Sequence, residues 1–188
     1  MRGCEQVAAV CYQVRPRGVE FLLVQTRGGR WTFPKGNAEP GLTHAQAAAL
    51  EAFEEAGVHG RMEEVSFARY FRRKPGQRQS SGAIDLAVNA HLCEVSRLDP
   101  PQERDRNPTW FSATQAKRRL REGRKADDSA EFVRVLDRAV ARIQRLHNRT
   151  HAAPDALQKV LFIDGVRGTV VKGRVSDTGE KKRRFQGS

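Results

Sequence analysis

The stretch GNAEPGLTHAQAAALEAFEEAGV, residues 36–58, decides the fold of this chain of 188 residues. It places three carboxylates, Glu51, Glu54 and Glu55, at positions i, i+3 and i+4. On a helix this spacing puts all three side chains on one face, where like charges repel each other by about 0.2–0.5 kcal/mol per pair. A cation between them relieves that repulsion, and Mg²⁺ and Mn²⁺ prefer hard oxygen ligands. The pattern therefore predicts a helix that carries a divalent-metal site.

The sequence also defines both ends of this helix and its buried face. Thr43 and Gln46 have the spacing of a capping box, in which each side chain satisfies a free backbone donor of the other residue. Gly57 is the residue type that ends helices in the left-handed conformation. The apolar positions on the face away from the glutamates are Ala45, Ala48, Ala49, Ala52, Phe53 and Ala56. An acidic, solvated helix face is the alternative interpretation, and the two caps together with the Pro/Gly loop before the helix argue against it.

The same stretch resembles the sequence box of the Nudix hydrolase family. The box runs Gly, five residues, Glu, seven residues, Arg-Glu, an aliphatic residue, any residue, Glu-Glu, any residue, Gly and an aliphatic residue. The positions in register with it are Gly36, Glu51, Ala52, Glu54, Glu55, Gly57 and Val58. Leu42 stands where the first Glu is expected, and Leu50 where the Arg is expected. The surroundings agree with the family from residue 5 to about residue 147.

This resemblance implies an α/β fold, the α/β/α sandwich with a mixed central sheet, for a Nudix hydrolase domain over residues 1–150. It also implies an enzyme that hydrolyses a phosphoanhydride bond with Mg²⁺ or Mn²⁺ as cofactor, since that reaction needs neutralised phosphoryl oxygens and a positioned water. By their places in the box, the metal ligands are the carbonyl of Gly36 and the carboxylates of Glu51, Glu54 and Glu55. Glu54 and Glu55 are also the candidate catalytic residues, because members of the family differ in the group that acts on the water.

The two departures from the box have physical consequences. The Arg of the box orients a metal-binding Glu in the family, and outer residues of this kind change metal affinity about 10–100-fold. We therefore expect Leu50 to loosen the site and to raise its requirement for Mg²⁺. Glu39, in the loop before the helix, is the candidate replacement for the carboxylate missing at Leu42. That hypothesis fails if Glu39→Gln leaves the metal dependence unchanged.

Segments beside the box indicate the substrate class. Residues 28–36 and 110–116 resemble the branch of the family that cleaves diphosphoinositol polyphosphates and dinucleoside polyphosphates. These substrates are long, dense anions, which suit charge-assisted contacts from Lys and Arg. The predicted substrate-binding residues are Arg30, Lys35, Arg72, Arg73, Lys74 and Arg78. Taken singly, each is better explained as an exposed cation, so the inference depends on the group. Capped RNA and mononucleotides are less favoured substrates.

Apolar patterning places the remaining elements. Strands are predicted over residues 6–14, 19–25, 64–72, 83–94 and 107–111. Ser112 with Gln115 caps one further helix, and apolar residues at helical period predict another over residues 129–147. The pattern weakens in a basic C-terminal extension, residues 151–188. Its two recognisable parts are a short hairpin within residues 157–175 and a disordered tail.

Charge points to polyanionic partners. The formal net charge is +12, and residues 101–188 carry 21 Lys and Arg against 11 Asp and Glu. A helical stripe and a tail cluster offer contacts to RNA phosphates, through Arg134, Arg138, Arg142, Arg145, Arg149 and Lys181 to Arg184. A solvated helix face is the commoner explanation of such a stripe, and no RNA-binding signature accompanies it. The alternative function is a catalytically weak Nudix domain that binds polyanions or RNA as a regulatory module, an option that Leu42 and Leu50 keep open.

The cysteines and the apolar runs of the sequence indicate the cellular compartment. Cys4, Cys11 and Cys93 are odd in number and lack the spacing of a metal site or a disulfide framework, which indicates idle thiols in a reducing cytoplasm. Residues 1–4 lack the apolar segment of a signal peptide, and we expect no membrane partner. His91 is a lone histidine on a strand, either close to the metal water or simply packed.

Overall fold

The computed structural model describes residues 5–73, 85–150, 160–163 and 170–173. The strands in these ranges are β1 (Gln6–Arg15), β2 (Gly18–Gln25), β3 (Trp31–Thr32), β4 (Lys35–Asn37), β5 (Val58–Glu63), β6 (Ala68–Arg73), β7 (Asp85–Leu98), β8 (Thr109–Ser112), β9 (Val160–Ile163) and β10 (Val170–Gly173). The helices are α1 (His44–Ala56), α2 (Ala113–Arg121) and α3 (Ala126–Thr150), and a 3₁₀ turn spans Arg104–Arg106.

The described strands form one mixed sheet. Its order is β10-β9-β5-β7-β1-β2-β3, with β4 against β1, β6 against β7 and β8 against β2. The pair β1 and β7 is parallel, and the other described pairs are antiparallel. Strand β7 is 14 residues long, which lets it pair with β6 along its first half and with β5 along its second half. The centre of the sheet is therefore the parallel pair.

Helices cover both faces of the sheet. One core joins the sheet to α2 and α3 through residues such as Leu120, Phe132 and Leu136. The other joins the opposite face to α1 through its alanines, together with Val7 and Met62 of the strands. Side chains on alternate positions of a strand point to opposite faces, so each central strand contributes to both cores. The predicted α/β/α sandwich with a mixed sheet is confirmed.

Strand β5 is the main difference from the sequence prediction. A strand was expected at residues 64–72, whereas the structure has β5 directly after Gly57 and then β6 from Ala68 onward. The segment carries a weak strand pattern because its residues include His59, Gly60, Arg61 and Glu63, yet it lies between two other strands, β7 and β9. Its strand identity comes from pairing partners far away in the chain.

The C-terminal extension contributes to the same sheet. Strands β9 and β10 pair antiparallel within the range where the sequence indicated a hairpin, and β9 also pairs with β5. Leu161 of β9 is fully buried in the core beneath α1. The domain boundary after residue 150 and the disordered tail stay predictions, and the tail lies outside the described residues.

Cys11 and Cys93 are buried free thiols on neighbouring strands, and Cys4 lies outside the described residues. The cytoplasmic location inferred from the thiols stays a prediction. Within the described ranges, no helix has the length and apolar character needed to cross a membrane.

Candidate active site

Helix α1 is fixed at both ends as its sequence predicts. The Thr43 hydroxyl accepts the N–H of Gln46 at 3.2 Å, and the Gln46 side chain accepts the N–H of Thr43 at 2.9 Å. Gly57 ends the helix with φ 64°, and its N–H donates to the carbonyl of Phe53 at 2.8 Å. The buried face consists of Ala45, Ala47, Ala48, Ala49, Ala52 and Ala56. Because alanine adds only a methyl group, this face of the helix lies close to the sheet, while Glu51 and Glu55 lie toward β4.

Gly36 and Glu51 are in direct contact. Strand β4 pairs with β1, which holds Gly36 beside Glu51 in the second half of α1. A Cβ atom added at Gly36 would lie 1.6 Å from Oε1 of Glu51. The Glu51 carboxylate therefore occupies the space that any other residue at position 36 would need. In this chain the first Gly of the box and its first remaining Glu therefore fit together in space.

Glu55 is a buried carboxylate with a partner on each oxygen. Only 2% of its side chain is exposed, Oε2 accepts the N–H of Lys35 at 3.1 Å, and Oε1 lies 2.8 Å from Nη2 of Arg106. Burial raises the pKa of Glu55, while the Arg106 charge and the Lys35 N–H act in the opposite direction. The two contacts offset part of the cost of burying this carboxylate.

Further carboxylates surround the predicted ones. Burial, with repulsion from Glu55, Glu54 and Glu103, raises the pKa of Glu51 to about 7. Burial also raises the pKa of Glu54, with repulsion from Glu39 and Glu103. Glu39, the candidate replacement for the missing box carboxylate, therefore lies close enough to act on Glu54. Its role stays a prediction.

Glu103 and Arg106 also belong to the site and were not predicted from the sequence. The 3₁₀ turn that carries them docks on α1, because the N–H of Glu103 donates to the carbonyl of Glu54 at 3.0 Å. Nε of Arg106 then lies 2.6 Å from Oε2 of Glu103. The available signal was a charged run, Glu103-Arg-Asp-Arg106, between two prolines. Such a run does not reveal which helix it will contact.

The donor set fits a divalent cation in chemistry. Among the described residues, no three His, Cys, Asp or Glu side chains are arranged as a ready metal site. The carboxylates around Glu51 nevertheless supply oxygen ligands only, and their mutual repulsion raises its pKa, a cost that a hard cation removes. The groups that could hold the ion are the carboxylates of Glu51, Glu54 and Glu55 and the carbonyl of Gly36.

Of the six predicted substrate-binding cations, Lys35 lies beside the carboxylates, and Arg72 lies near Lys35. The pKa of Lys35 is lowered by burial and by the nearby Arg72, while Glu55 acts to raise it. Nη1 of Arg72 donates to Gln6 at 3.2 Å. Arg30 is exposed and lies instead near Arg124. The side chain of Arg73, and the whole of Lys74 and Arg78, lie outside the described residues.

Arg124, which the sequence analysis did not single out, ties α2 to the sheet. Its guanidinium donates to the carbonyls of Leu120 and Trp31 and lies 4.3 Å above the ring of Phe132. Burial and the nearby charge of Arg30 lower the pKa of Arg124 to about 10. These contacts fit a structural role for Arg124 next to Arg30, one of the predicted substrate-binding cations.

The remaining candidates have other partners. His91 is buried, and its Nδ1 lies 3.1 Å from the carbonyl of Glu63, so its described ring contact is with β5. From the arginine stripe of α3, Arg142 contacts the Glu63 carboxylate at 3.3 Å and Arg134 pairs with Glu131. These two arginines are therefore engaged within the fold. The tail cluster from Lys181 lies outside the described residues.

A sequence model of the NUDIX domain matches residues 5–136. The chain belongs to the NUDIX family. The matched range contains the complete box with Leu42 and Leu50, so the two departures belong to a member of the family and not to a chance resemblance. It also contains the 3₁₀ turn with Glu103 and Arg106.

Two curated proteins match parts of this Nudix protein. It is 50% identical over 42 residues to the Sus scrofa bis(5'-nucleosyl)-tetraphosphatase [asymmetrical], which is 21% of this chain and 29% of that protein. It is 35% identical over 97 residues to the Mus musculus nucleoside diphosphate-linked moiety X motif 6, which is 50% of this chain and 28% of that protein. The matches span less than a third of the length of these curated relatives.

The fold has a counterpart among solved structures. A C. elegans Ap4A hydrolase in a binary complex superposes with a TM-score of 0.56 at 23% identity, over 76% of this chain and 98% of that chain. At that identity the likeness shows a shared fold. The substrate named for the C. elegans protein is not carried over to this chain at that identity.

Proposed function

We propose that this Nudix protein is a pyrophosphohydrolase that depends on Mg²⁺ or Mn²⁺ and cleaves a phosphoanhydride bond in polyphosphorylated small molecules. One observation carries the proposal: Lys35, whose N–H donates to Glu55 at 3.1 Å, lies directly beside the crowded carboxylates of α1, and Arg72 lies near Lys35. Carboxylates gather a metal, and cations gather phosphates. A polyphosphate chain and its metal need both kinds of group next to each other.

The residues of the site would have different roles in hydrolysis. A bound divalent cation neutralises phosphoryl oxygens and acidifies water. Glu51, Glu54 and Glu55 would hold that ion, with the carbonyl of Gly36 as a further ligand. Glu54 and Glu55 are the candidates for accepting the proton of the attacking water. Lys35 would contact the anionic chain close to the bond that breaks.

The favoured substrates are dinucleoside polyphosphates or diphosphoinositol polyphosphates. Similarity to the Sus scrofa tetraphosphatase supports the first class, since that enzyme's name describes the cleavage of a dinucleoside tetraphosphate. The second class presents the same chemistry, a diphosphate within a dense anion. Lys35 and Arg72 suit both, so phosphate density is the shared feature that this site recognises.

An assay of turnover tests the proposal. Diadenosine tetraphosphate, a diphosphoinositol polyphosphate, ADP-ribose and 5′-triphosphate RNA are each incubated with the protein, with and without Mg²⁺ or Mn²⁺. We expect metal-dependent release from one of the first two, and a loss of about a hundredfold or more in Glu55→Gln. Glu20→Gln is the matched control, because it removes the same charge from the β1–β2 hairpin.

The same assay separates an enzyme from a binding module. A catalytically weak domain that binds polyanions is the second candidate function. It is favoured because the described residues hold no ready three-ligand site and because Leu50 stands in the box. Tight binding of a polyphosphate without turnover under any metal condition would contradict the hydrolase and support that candidate.

A further inference from the structure

One guanidinium contacts two carboxylates of the site. Nη2 of Arg106 lies 2.8 Å from Oε1 of Glu55, and Nε of the same residue lies 2.6 Å from Oε2 of Glu103. The Arg106 side chain is 20% exposed, and that of Glu55 is 2% exposed. The rigid, planar donors of arginine suit such a double contact, which a lysine ammonium reproduces poorly.

The position of Arg106 is set by the fold. On one side the turn is held to α1 by the N–H of Glu103, which donates to the carbonyl of Glu54. On the other side Asn107 takes the left-handed conformation, with φ 46°, and its side chain donates to Gln25 of β2 at 3.2 Å. The turn is therefore anchored before and after the arginine, which limits where the guanidinium can go.

The box of this chain has no arginine that could act as a cationic partner for its carboxylates. Leu50 occupies the position just before Glu51 and offers no charge or hydrogen bond to any carboxylate. Glu55 is nevertheless buried, and a buried carboxylate without a partner is strongly unfavourable. Arg106 supplies the missing charge from another part of the chain.

The contacts of Glu55 still leave room for a metal. Each carboxylate oxygen has about two acceptor sites. Arg106 uses one site on Oε1, and the N–H of Lys35 uses one on Oε2. The carboxylate is thus held from two sides while lone pairs on both oxygens remain.

We propose that Arg106 is the positioning residue of the carboxylate cluster: by joining Glu55 to Glu103, it fixes Glu55 for metal binding, the task that Leu50 does not perform. This inference rests on the proposed function, in which Glu55 is a metal ligand. The residue acts through the two carboxylates and does not contact the substrate. An arginine from the 3₁₀ turn would then replace an arginine of the helix.

Calorimetric titration of the full chain with Mn²⁺, without substrate, tests the inference. We expect Arg106→Gln to weaken Mn²⁺ binding about tenfold or more, and Arg106→Lys to weaken it less. Arg104→Gln is the matched control, since Arg104 is an exposed residue of the same turn. Adding Leu50→Arg to Arg106→Gln should restore part of the affinity, which a merely structural role for Arg106 would not predict.

Hydrogen exchange of the metal-free protein gives a second readout. Arg106→Gln should speed exchange at the Glu103 amide, because the turn loses its hold on α1, whereas Arg104→Gln should not. Equal Mn²⁺ affinities of wild type and Arg106→Gln would overturn the inference and leave the proposed function standing. Tighter binding in Arg106→Gln would also overturn it, since Arg106 would then compete with the metal. A wild-type protein that binds no Mn²⁺ would overturn the proposed function as well. If Arg106→Gln does not fold, Arg106→Lys against Arg104→Gln carries the same comparison.

Discussion

Gly36 and Glu51 illustrate how far one residue of this site depends on another. The Glu51 carboxylate fills the space beside the Gly36 backbone. The atom that a side chain at position 36 would meet is the end of a flexible side chain, so the chain can respond by moving Glu51. We therefore expect the function to be more sensitive than the fold to a change at Gly36.

Gly36→Ala tests this separation. The new methyl should displace the Glu51 carboxylate, weaken Mn²⁺ binding about tenfold and lower turnover, with a change of less than about 1 kcal/mol in the free energy of unfolding. Mn²⁺ titration and chemical denaturation measure the two quantities. Gly28→Ala is the control, because its Cβ would have its nearest neighbour 3.9 Å away. Equal metal affinity in the two variants would contradict the expectation.

The raised pKa of Glu51 predicts how stability varies with pH. In the folded, metal-free protein this carboxyl has a pKa of about 7, against 4.5 as its ordinary value. The folded state therefore binds a proton that the unfolded chain releases, so stability present below about pH 4.5 is lost as the pH rises through 7. Because the carboxyl is partly exposed, the loss should be on the order of 1 kcal/mol.

Denaturation at pH 5 and pH 8 measures that loss. We expect metal-free wild type to lose about 1 kcal/mol more than Glu51→Gln between these two values. Saturating Mn²⁺ should remove the loss in wild type, because the ion binds the deprotonated carboxylate. Parallel pH profiles of wild type and Glu51→Gln would show that Glu51 does not cause the effect.

At the scale of elements, the C-terminal end of α1 is the most constrained point. Gly57 has φ 64°, and a Cβ there would lie 1.8 Å from the backbone oxygen of Asp99. The Asp99 N–H also donates to the Gly57 carbonyl at 2.8 Å, which ties the end of the helix to the segment after β7. Unlike the contact at Gly36, this one involves backbone that has little freedom to move.

Gly57→Ala should therefore destabilise the fold by about 3 kcal/mol or more, through the left-handed conformation and the backbone clash together. Gly29→Ala separates the two contributions. Gly29 has φ 73° with open space around its Cβ position, so only the conformational cost of about 1–2 kcal/mol applies there. Chemical denaturation of both variants gives the comparison. Equal losses would contradict the proposed clash with Asp99.

Helix α1 could be predicted closely because its information is local. The capping box of Thr43 and Gln46, the C-cap glycine and the alanine face all lie within the helix or next to it, and all are confirmed in the structure. Strand β5 could not be predicted in the same way, because its partners β7 and β9 are distant in sequence. Sequence pattern is reliable where the stabilising contacts are near neighbours.

The same reasoning explains the site. Glu51, Glu54 and Glu55 could be named because their spacing is fixed within one helix. Glu103 and Arg106 reach the site through a turn that follows β7, about fifty residues further along the chain. The sequence of a charged turn does not reveal which carboxylate the turn will contact. The roles assigned to the box residues remain proposals.

At the scale of the whole molecule, the C-terminal strands support the helix that carries the site. Leu161 and Ile163 of β9 are buried in the core beneath α1, and Val160 of the same strand is buried as well. A chain that ends at residue 150 loses these three side chains and exposes the edge of β5. A chain that ends at residue 175 keeps every described contact of β9 and β10.

The two truncations should therefore differ in stability. We expect the chain ending at residue 150 to be less stable by about 5 kcal/mol, from three buried aliphatic side chains, or not to fold. The chain ending at residue 175 should stay within about 1 kcal/mol of the full chain. Guanidinium denaturation measures both. Equal stability of the two truncations would confirm residue 150 as a true domain boundary.

The alanine layer beneath α1 has a consequence for how this protein can evolve. Alanine is the smallest residue that favours a helix, so substitution cannot make the layer thinner without glycine and its cost of about 1 kcal/mol in helix formation. Every other replacement makes it thicker and lifts the helix with all its glutamates at once. Mutations can therefore change the distance between the carboxylates and the proposed phosphate-binding cations in one direction only. We expect neutral drift at these six positions to be far slower than on the exposed face of the same helix.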